Sequence, residues 1–134
     1  ARMDKQVIVP EGLDGNYKDW HFAPAVRSGD FLFLSGCTGT RPGGGLAEDV
    51  AGQTRDAFAK LGMSLKAAGC SFADVVEMTS YHVGLQVQLE TFKAVKDEFI
   101  PEPYPAWTAI GVSELAVPGA LVEVKLIARQ RACQ

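Results

Sequence analysis

The run Phe31-Leu32-Phe33-Leu34 constrains this chain more than any other stretch. Successive side chains of an extended strand point to opposite faces, so Phe31 and Phe33 share one face and Leu32 and Leu34 the other. Both faces of the sheet must then be covered at this strand. A large bare apolar sheet face is rare in a soluble monomer, so the cover available elsewhere in the chain decides the architecture.

The tight-turn signal Arg27-Ser28-Gly29-Asp30 joins this strand to the apolar stretch Trp20 to Val26 as a hairpin. Pro24 makes the first hairpin strand an edge or bulged one, and Lys5 to Val9 reads as a short edge strand stopped by Pro10. The polar stretch Glu11 to Asp19 reads as a loop. From Asp49 to Ala68, the residues Thr54, Ala57, Phe58, Leu61, Leu65 and Ala68 recur at three- and four-residue spacing, which predicts a helix with one apolar stripe. Glu48 and Asp49 suit its positive N-terminal end, and Gly69 suits its stop.

A turn at Ser71 to Asp74 leads into a strand from Val75 to Val83. Leu89, Phe92, Val95 and Phe99 mark a second helix from about Gln86 to Phe99. Pro103 and Pro105 break that helix and open an abrupt strand from Ala106 to Val112, which holds Trp107 rigidly. A turn at Leu115 to Gly119 precedes the last strand, Ala120 to Arg129. The order β-β-β-α-β-α-β-β, with no internal repeat and no linker, is that of a single domain spanning 1–134. Its two helices cover only one face of a sheet of about six strands. The second face calls for another copy of the chain, of undetermined symmetry.

Composition narrows the chemistry. A net charge of −3 without a basic stripe argues against nucleic-acid binding. No run approaches the roughly 18 apolar residues of a membrane helix, and the absence of an apolar signal segment reads as cytoplasmic. Cys37, Cys70 and Cys133 are odd in number and lack CxxC spacing, so they suggest neither a disulfide framework nor a zinc ribbon. His21 and His82 form no ligand pair, and no metal is expected. The loop Thr38 to Gly45 is glycine-rich but lacks the order of a phosphate loop, and Arg41-Pro42 interrupts any row of N–H donors.

In the last strand Val122, Val124 and Leu126 alternate with Glu123 and Lys125. The valines and leucine suit the helix-covered face, which leaves Glu123 and Lys125 on the face assigned to a subunit contact. Desolvation there disfavours the carboxylate, the condition that makes a glutamate a proton acceptor near neutral pH. The alternative is a solvated or cross-subunit structural charge.

Several segments resemble the Rid (reactive intermediate deaminase, YjgF or L-PSP endoribonuclease-like) family. They are Phe22-Ala23-Pro24-Ala25-Val26-Arg27-Ser28-Gly29-Asp30, Phe31 to Gly36, Asp49-Val50-Ala51-Gly52-Gln53-Thr54, Asp74 to Thr79, Tyr104-Pro105-Ala106 and Pro118 to Val124, in family order. The resemblance implies a chorismate-mutase-like α+β fold with a six-stranded mixed sheet and two helices on one face. It also implies a homotrimer with a central barrel and three intersubunit clefts, and hydrolysis of 2-imino or enamine acids without metal or organic cofactor.

By position, the family's water-managing glutamate falls on Glu123, its ligand-facing backbone glycine on Gly36, and a further backbone contact on Ala109. Its cleft tyrosine falls on Phe22, which lacks the hydroxyl. Its carboxylate-clamping arginine falls on Trp107, whose single indole N–H is no bidentate donor. Tyr104, Thr108 and Cys37 complete the candidate pocket, Cys37 as a nucleophile if a base lowers its pKa and as a buried inert thiol otherwise. The expected activity is hydrolysis of a small imine, enamine or cyclic amide, with Trp107 replacing the arginine. The alternative is a non-catalytic trimer that binds a small molecule or a partner; ribonuclease activity is disfavoured.

Overall fold

The computed structural model describes residues 5–130, so Cys133 lies outside the described residues. In chain order the elements are β1 (Gln6–Ile8), α1 (Asp14–Lys18), β2 (Ala25–Ser28), β3 (Phe31–Leu34), β4 (Cys37–Thr38) and α2 (Val50–Ala67). A single 3₁₀ turn, Phe72–Asp74, then precedes β5 (Val75–His82), α3 (Leu85–Lys96), β6 (Ala106–Gly111) and β7 (Val122–Arg129). The sheet runs β1-β2-β3-β7-β5-β6, with β4 paired to β7 beyond the end of β3. Only β5 and β6 run parallel, so the sheet is mixed, as expected for an α+β fold.

Strand β7 lies at the centre. Its Val122, Val124, Leu126 and Ala128 are fully buried, while Glu123, Lys125 and Ile127 point to the other face. The helices cover the first face. Phe58 of α2 and Phe92 of α3 pack within 6.3 Å of each other, and Phe58 stacks on Phe99 at 5.0 Å. The apolar stripe predicted for α2 is the buried one: Thr54, Ala57, Phe58, Leu61 and Leu65 are all closed off. Asp49 caps that helix by accepting from the Gly52 amide at 2.8 Å.

Sequence and structure differ at the N-terminal end. The stretch Glu11 to Asp19 holds α1 rather than only loop, too short for a periodic signal, with Asp14 in its first turn and Lys18 in its last, as the helix dipole favours. The expected strand from Trp20 begins only at Ala25, because the preceding residues fold back onto α1: the Phe22 amide donates to the Asn16 carbonyl at 3.1 Å. The turn narrows to Gly29 and Asp30, with Gly29 at φ +62°.

The expected strand Phe31 to Gly36 also breaks, after Leu34. Phe33 opposes Ile127 and Cys37 opposes Val124, so four steps along β3–β4 match three along β7. One extra residue has been inserted, a bulge at Ser35–Gly36.

On the helix-free face Phe31 and Phe33 are 40% and 43% exposed within this chain. That is the uncovered apolar face anticipated from the strand pattern.

Gln53, 2% exposed, ties the start of β7 to α2. Its carbonyl accepts from the Leu121 amide at 2.8 Å, and its amide donates to the carbonyls of Ala47 and Gly119. Gln53→Leu strands the Leu121 amide and should cost about 1–3 kcal/mol. Denaturant unfolding with an unchanged m-value would measure it.

Candidate active site

A cavity of about 640 Å³ opens at the β3–β4 bulge. Its walls come from the start of α1, the Trp20–Phe22 stretch, the bulge, the 40–44 loop, Lys60 of α2, the 116–117 turn and Glu123 of β7. Four residues expected in the pocket therefore meet within one chain: Phe22, Gly36, Cys37 and Glu123.

Glu123 and Gly36 fit together tightly. A Cβ at Gly36 would collide with the Glu123 carboxylate, so the bulge must carry a glycine for the carboxylate to rest on its backbone. Burial raises the pKa of Glu123 above the ordinary glutamate value, and the nearby Lys60 ammonium offsets part of that rise. Cys37 is half-buried and packs against the core, and burial pushes its thiol up to about 11. At neutral pH it is a protonated, inert thiol.

Lys60 is the residue the sequence reading passed over. It is half-buried, its pKa is lowered by desolvation, and Cys37, Asp56 and Glu123 are close enough to raise it in part. Its position three residues after Ala57 and four before Ser64, both buried, was a readable signal. A lysine beside an apolar stripe ordinarily snorkels to solvent, which is why the signal carries little weight.

The candidates on β6 and in the segment before it lie elsewhere in the chain. Tyr104, Trp107, Thr108 and Ala109 do not line this cavity. The register sets Trp107 opposite Met78, which opposes Leu126, so its side chain is on the helix face and Glu123 on the other. Thr108, opposite Thr79 and so in line with Lys125, shares the face of Glu123. Ala109 follows Trp107 by two but is opposite Ser80, on the helix face.

Trp107 is engaged within its own subunit. Its indole N–H donates to Ser80 Oγ at 2.9 Å, and Ser80 Oγ meets His82 Nε2 at 2.8 Å. His82 Nδ1 meets Gln88 Oε1 at 2.7 Å, and Gln88 Nε2 donates to the carbonyls of Val83 and Leu121. These contacts fix the direction of every proton. Gln88 uses its amide on carbonyls, so Oε1 accepts from Nδ1–H, Nε2 accepts from the Ser80 hydroxyl, and Ser80 accepts from the indole. Burial lowers the His82 pKa, which suits this neutral tautomer. The Lys96 ammonium lies 4.8 Å over the Trp107 ring and 5.9 Å over that of Tyr104. His82 is thus a core residue, and exposed His21, at φ +60°, does not line the cavity.

Among the described residues no three His, Cys, Asp or Glu side chains cluster as a metal site, and no helix is long and apolar enough to cross a membrane.

Comparison with known proteins places these features in context. The profile of the family described as Endoribonuclease L-PSP matches residues 18–130. The chain is 41% identical to the RutC family protein YjgH of Escherichia coli K12, over 95% of this chain and 96% of that one. It is 32% identical to a 2-iminobutanoate/2-iminopropanoate deaminase of Bos taurus, over 81% and 80% of the two chains. A solved structure of Protein YJGH superimposes with a TM-score of 0.84 at 42% identity, covering 93% of this chain and 95% of that one.

The raised pKa of Glu123 fixes a sign for stability. The folded state holds this proton more tightly than the unfolded chain, so the contribution is complete below the unfolded value of about 4.3 and is lost as pH rises through the folded value. Glu123→Gln does not titrate. Its melting temperature should exceed that of the wild type at pH 7, with the gap closing toward pH 4. Thermal melts across that range measure the gap; a less stable glutamine variant at pH 7 would show that a partner stabilises the carboxylate.

Proposed function

The chain belongs to the Endoribonuclease L-PSP family, the YjgF or Rid group that its motifs resemble, and from that membership we propose that it is a cofactor-independent C–N hydrolase acting on a small imine, enamine or cyclic amide. The observation that carries this reading is the Glu123 carboxylate resting on the Gly36 backbone inside a cavity, with its pKa raised. A carboxylate moved toward neutral pH is suited to take a proton from water. Hydroxide then adds to the carbon of the C=N bond, and Glu123 returns the proton to the nitrogen of the tetrahedral adduct. Glu123 then carries the hydroxyl proton of that adduct to the amino group, the C–N bond breaks, ammonia leaves, and a carbonyl product remains.

The working unit is a homotrimer. The exposed Phe31 and Phe33 pack their sheet faces together, and the clefts between subunits bring β6 of one chain, with Tyr104, Trp107, Thr108 and Ala109, toward the cavity of the next. In this arrangement Trp107 occupies the position of the family arginine and contributes its backbone, since its ring packs on Phe92 beneath Lys96 and its indole N–H is committed to Ser80. Ribonuclease chemistry has little support here. The sequence holds two histidines, and His82 is fully buried in the Trp107–Gln88 network, so no acid–base histidine pair is available.

Imines generated in situ by an amino-acid oxidase provide the test. Ammonia release should rise above the uncatalysed rate and fall about a hundredfold or more in Glu123→Gln, the range for losing an acid–base group. Release that persists in that variant removes Glu123 from its role. A ligand bound and returned unchanged would favour a non-catalytic binding protein.

Light scattering tests the assembly. The mass should lie near three times the 14.4 kDa of one chain, and Phe33→Asp should lower it.

A further inference from the structure

Lys60 has no role in the reaction as drawn, yet its surroundings require one. It lines the same cavity as Glu123, Gly36 and Cys37, half-buried on the inward side of α2. Among the described residues it forms no ion pair. Asp56, one turn earlier on the helix, pairs with Arg41 at 3.0 Å. Cys37 stays a neutral thiol, and Glu123 lies near enough to be felt but beyond ion-pair distance.

A desolvated ammonium without a counter-ion is unfavourable, and an anionic ligand reverses that penalty. Leu13, Trp20, Phe22 and Val117 give the same cavity an apolar lining. Trp20 is 74% exposed and Phe22 39%, so both rings stand open at the cavity mouth.

We propose that Lys60 is the carboxylate-binding residue of this cavity, holding the acid group of a small 2-imino or 2-oxo acid whose apolar or aromatic side chain lies against Trp20 and Phe22. The inference rests on the hydrolase reading for the identity of the acid but not for its binding. With the carboxylate on Lys60, the ligand shares the cavity with Glu123, the residue assigned to activate water. Recognition charge thus comes from helix α2 of the same chain rather than from position 107 on β6.

The test is direct binding by isothermal titration calorimetry. The probes are 2-oxobutanoate and phenylpyruvate, each beside its neutral methyl ester. The wild type should bind the acids, and phenylpyruvate more tightly. Lys60→Met should weaken acid binding about tenfold or more and leave ester binding unchanged, the range for losing a charge-assisted hydrogen bond. Lys60→Arg should restore acid binding to within a few-fold. Thermal melts confirm folding, and Lys60→Gln serves if the methionine variant is unstable.

Unchanged acid affinity in Lys60→Met, or equal losses for acid and ester, would overturn the proposal. So would wild type that binds neither acid, or a borohydride-trapped adduct on Lys60, which would mark a Schiff-base lysine instead. Because the readout is binding, an inactive protein that still shows the Lys60-dependent preference for acids rejects the hydrolase and keeps the site.

Discussion

Strand β7 has to satisfy two environments at once, and the remainder of the structure follows from how it does so. Val122, Val124, Leu126 and Ala128 lose all their exposure against the helices, while Glu123 and Lys125 are left on the opposite face. Burying a valine or leucine side chain is worth about 1.5–3 kcal/mol, so three such residues pin the strand in register. A slip by one residue would expose all of them and drive Glu123 into the helix layer. The stability of the core and the position of the carboxylate are therefore one constraint, which a mutation cannot relax on one side alone.

The bulge at Ser35–Gly36 is the second half of that arrangement. A regular β3 would continue past Leu34 and set a side chain where the Glu123 carboxylate now lies. The extra residue changes the phase of the strand, and Gly36 removes the Cβ that would collide with it. Ser35 steadies the break, with its hydroxyl on the Ala23 carbonyl at 2.6 Å and its amide on the Pro24 carbonyl at 3.0 Å. Pro24 offers no N–H to the ladder, and β2 begins only after it, at Ala25.

Much of this was legible in the residues, for identifiable reasons. The α2 stripe and the β7 alternation report a period, and burial follows a period directly. Gly36 and Glu123 could be marked as candidates from motif order, but their contact could not, because it depends on a bulge that no local pattern announces. Helix α1 was hidden by its brevity. Lys60 was hidden by its type: an amphipathic side chain at the edge of a stripe reads the same whether its head reaches water or a cavity. Trp107 was correctly read as held in a rigid strand, whereas the direction of its side chain depends on pairing with Met78 in a distant strand.

That direction has a consequence for how charge is distributed in the protein. Once the indole N–H donates to Ser80, each donor along the Ser80–His82–Gln88 chain has its acceptor, and the network ends on the carbonyls of Val83 and Leu121. A ligand seeking the indole would have to break a satisfied buried bond, and the loss would reach Gln88, which braces the carbonyl beside the start of β7. Lys96, over the same ring, is 8% exposed and already paired with Asp97 at 3.0 Å. Position 107 and its cation are therefore committed to holding β6 against α3. The ammonium at Lys60 is desolvated by burial and has no carboxylate within ion-pair distance among the described residues. On the proposal that Lys60 holds the ligand's carboxylate, discrimination between charged and neutral ligands falls to α2, at the wall of the cavity that also holds Glu123.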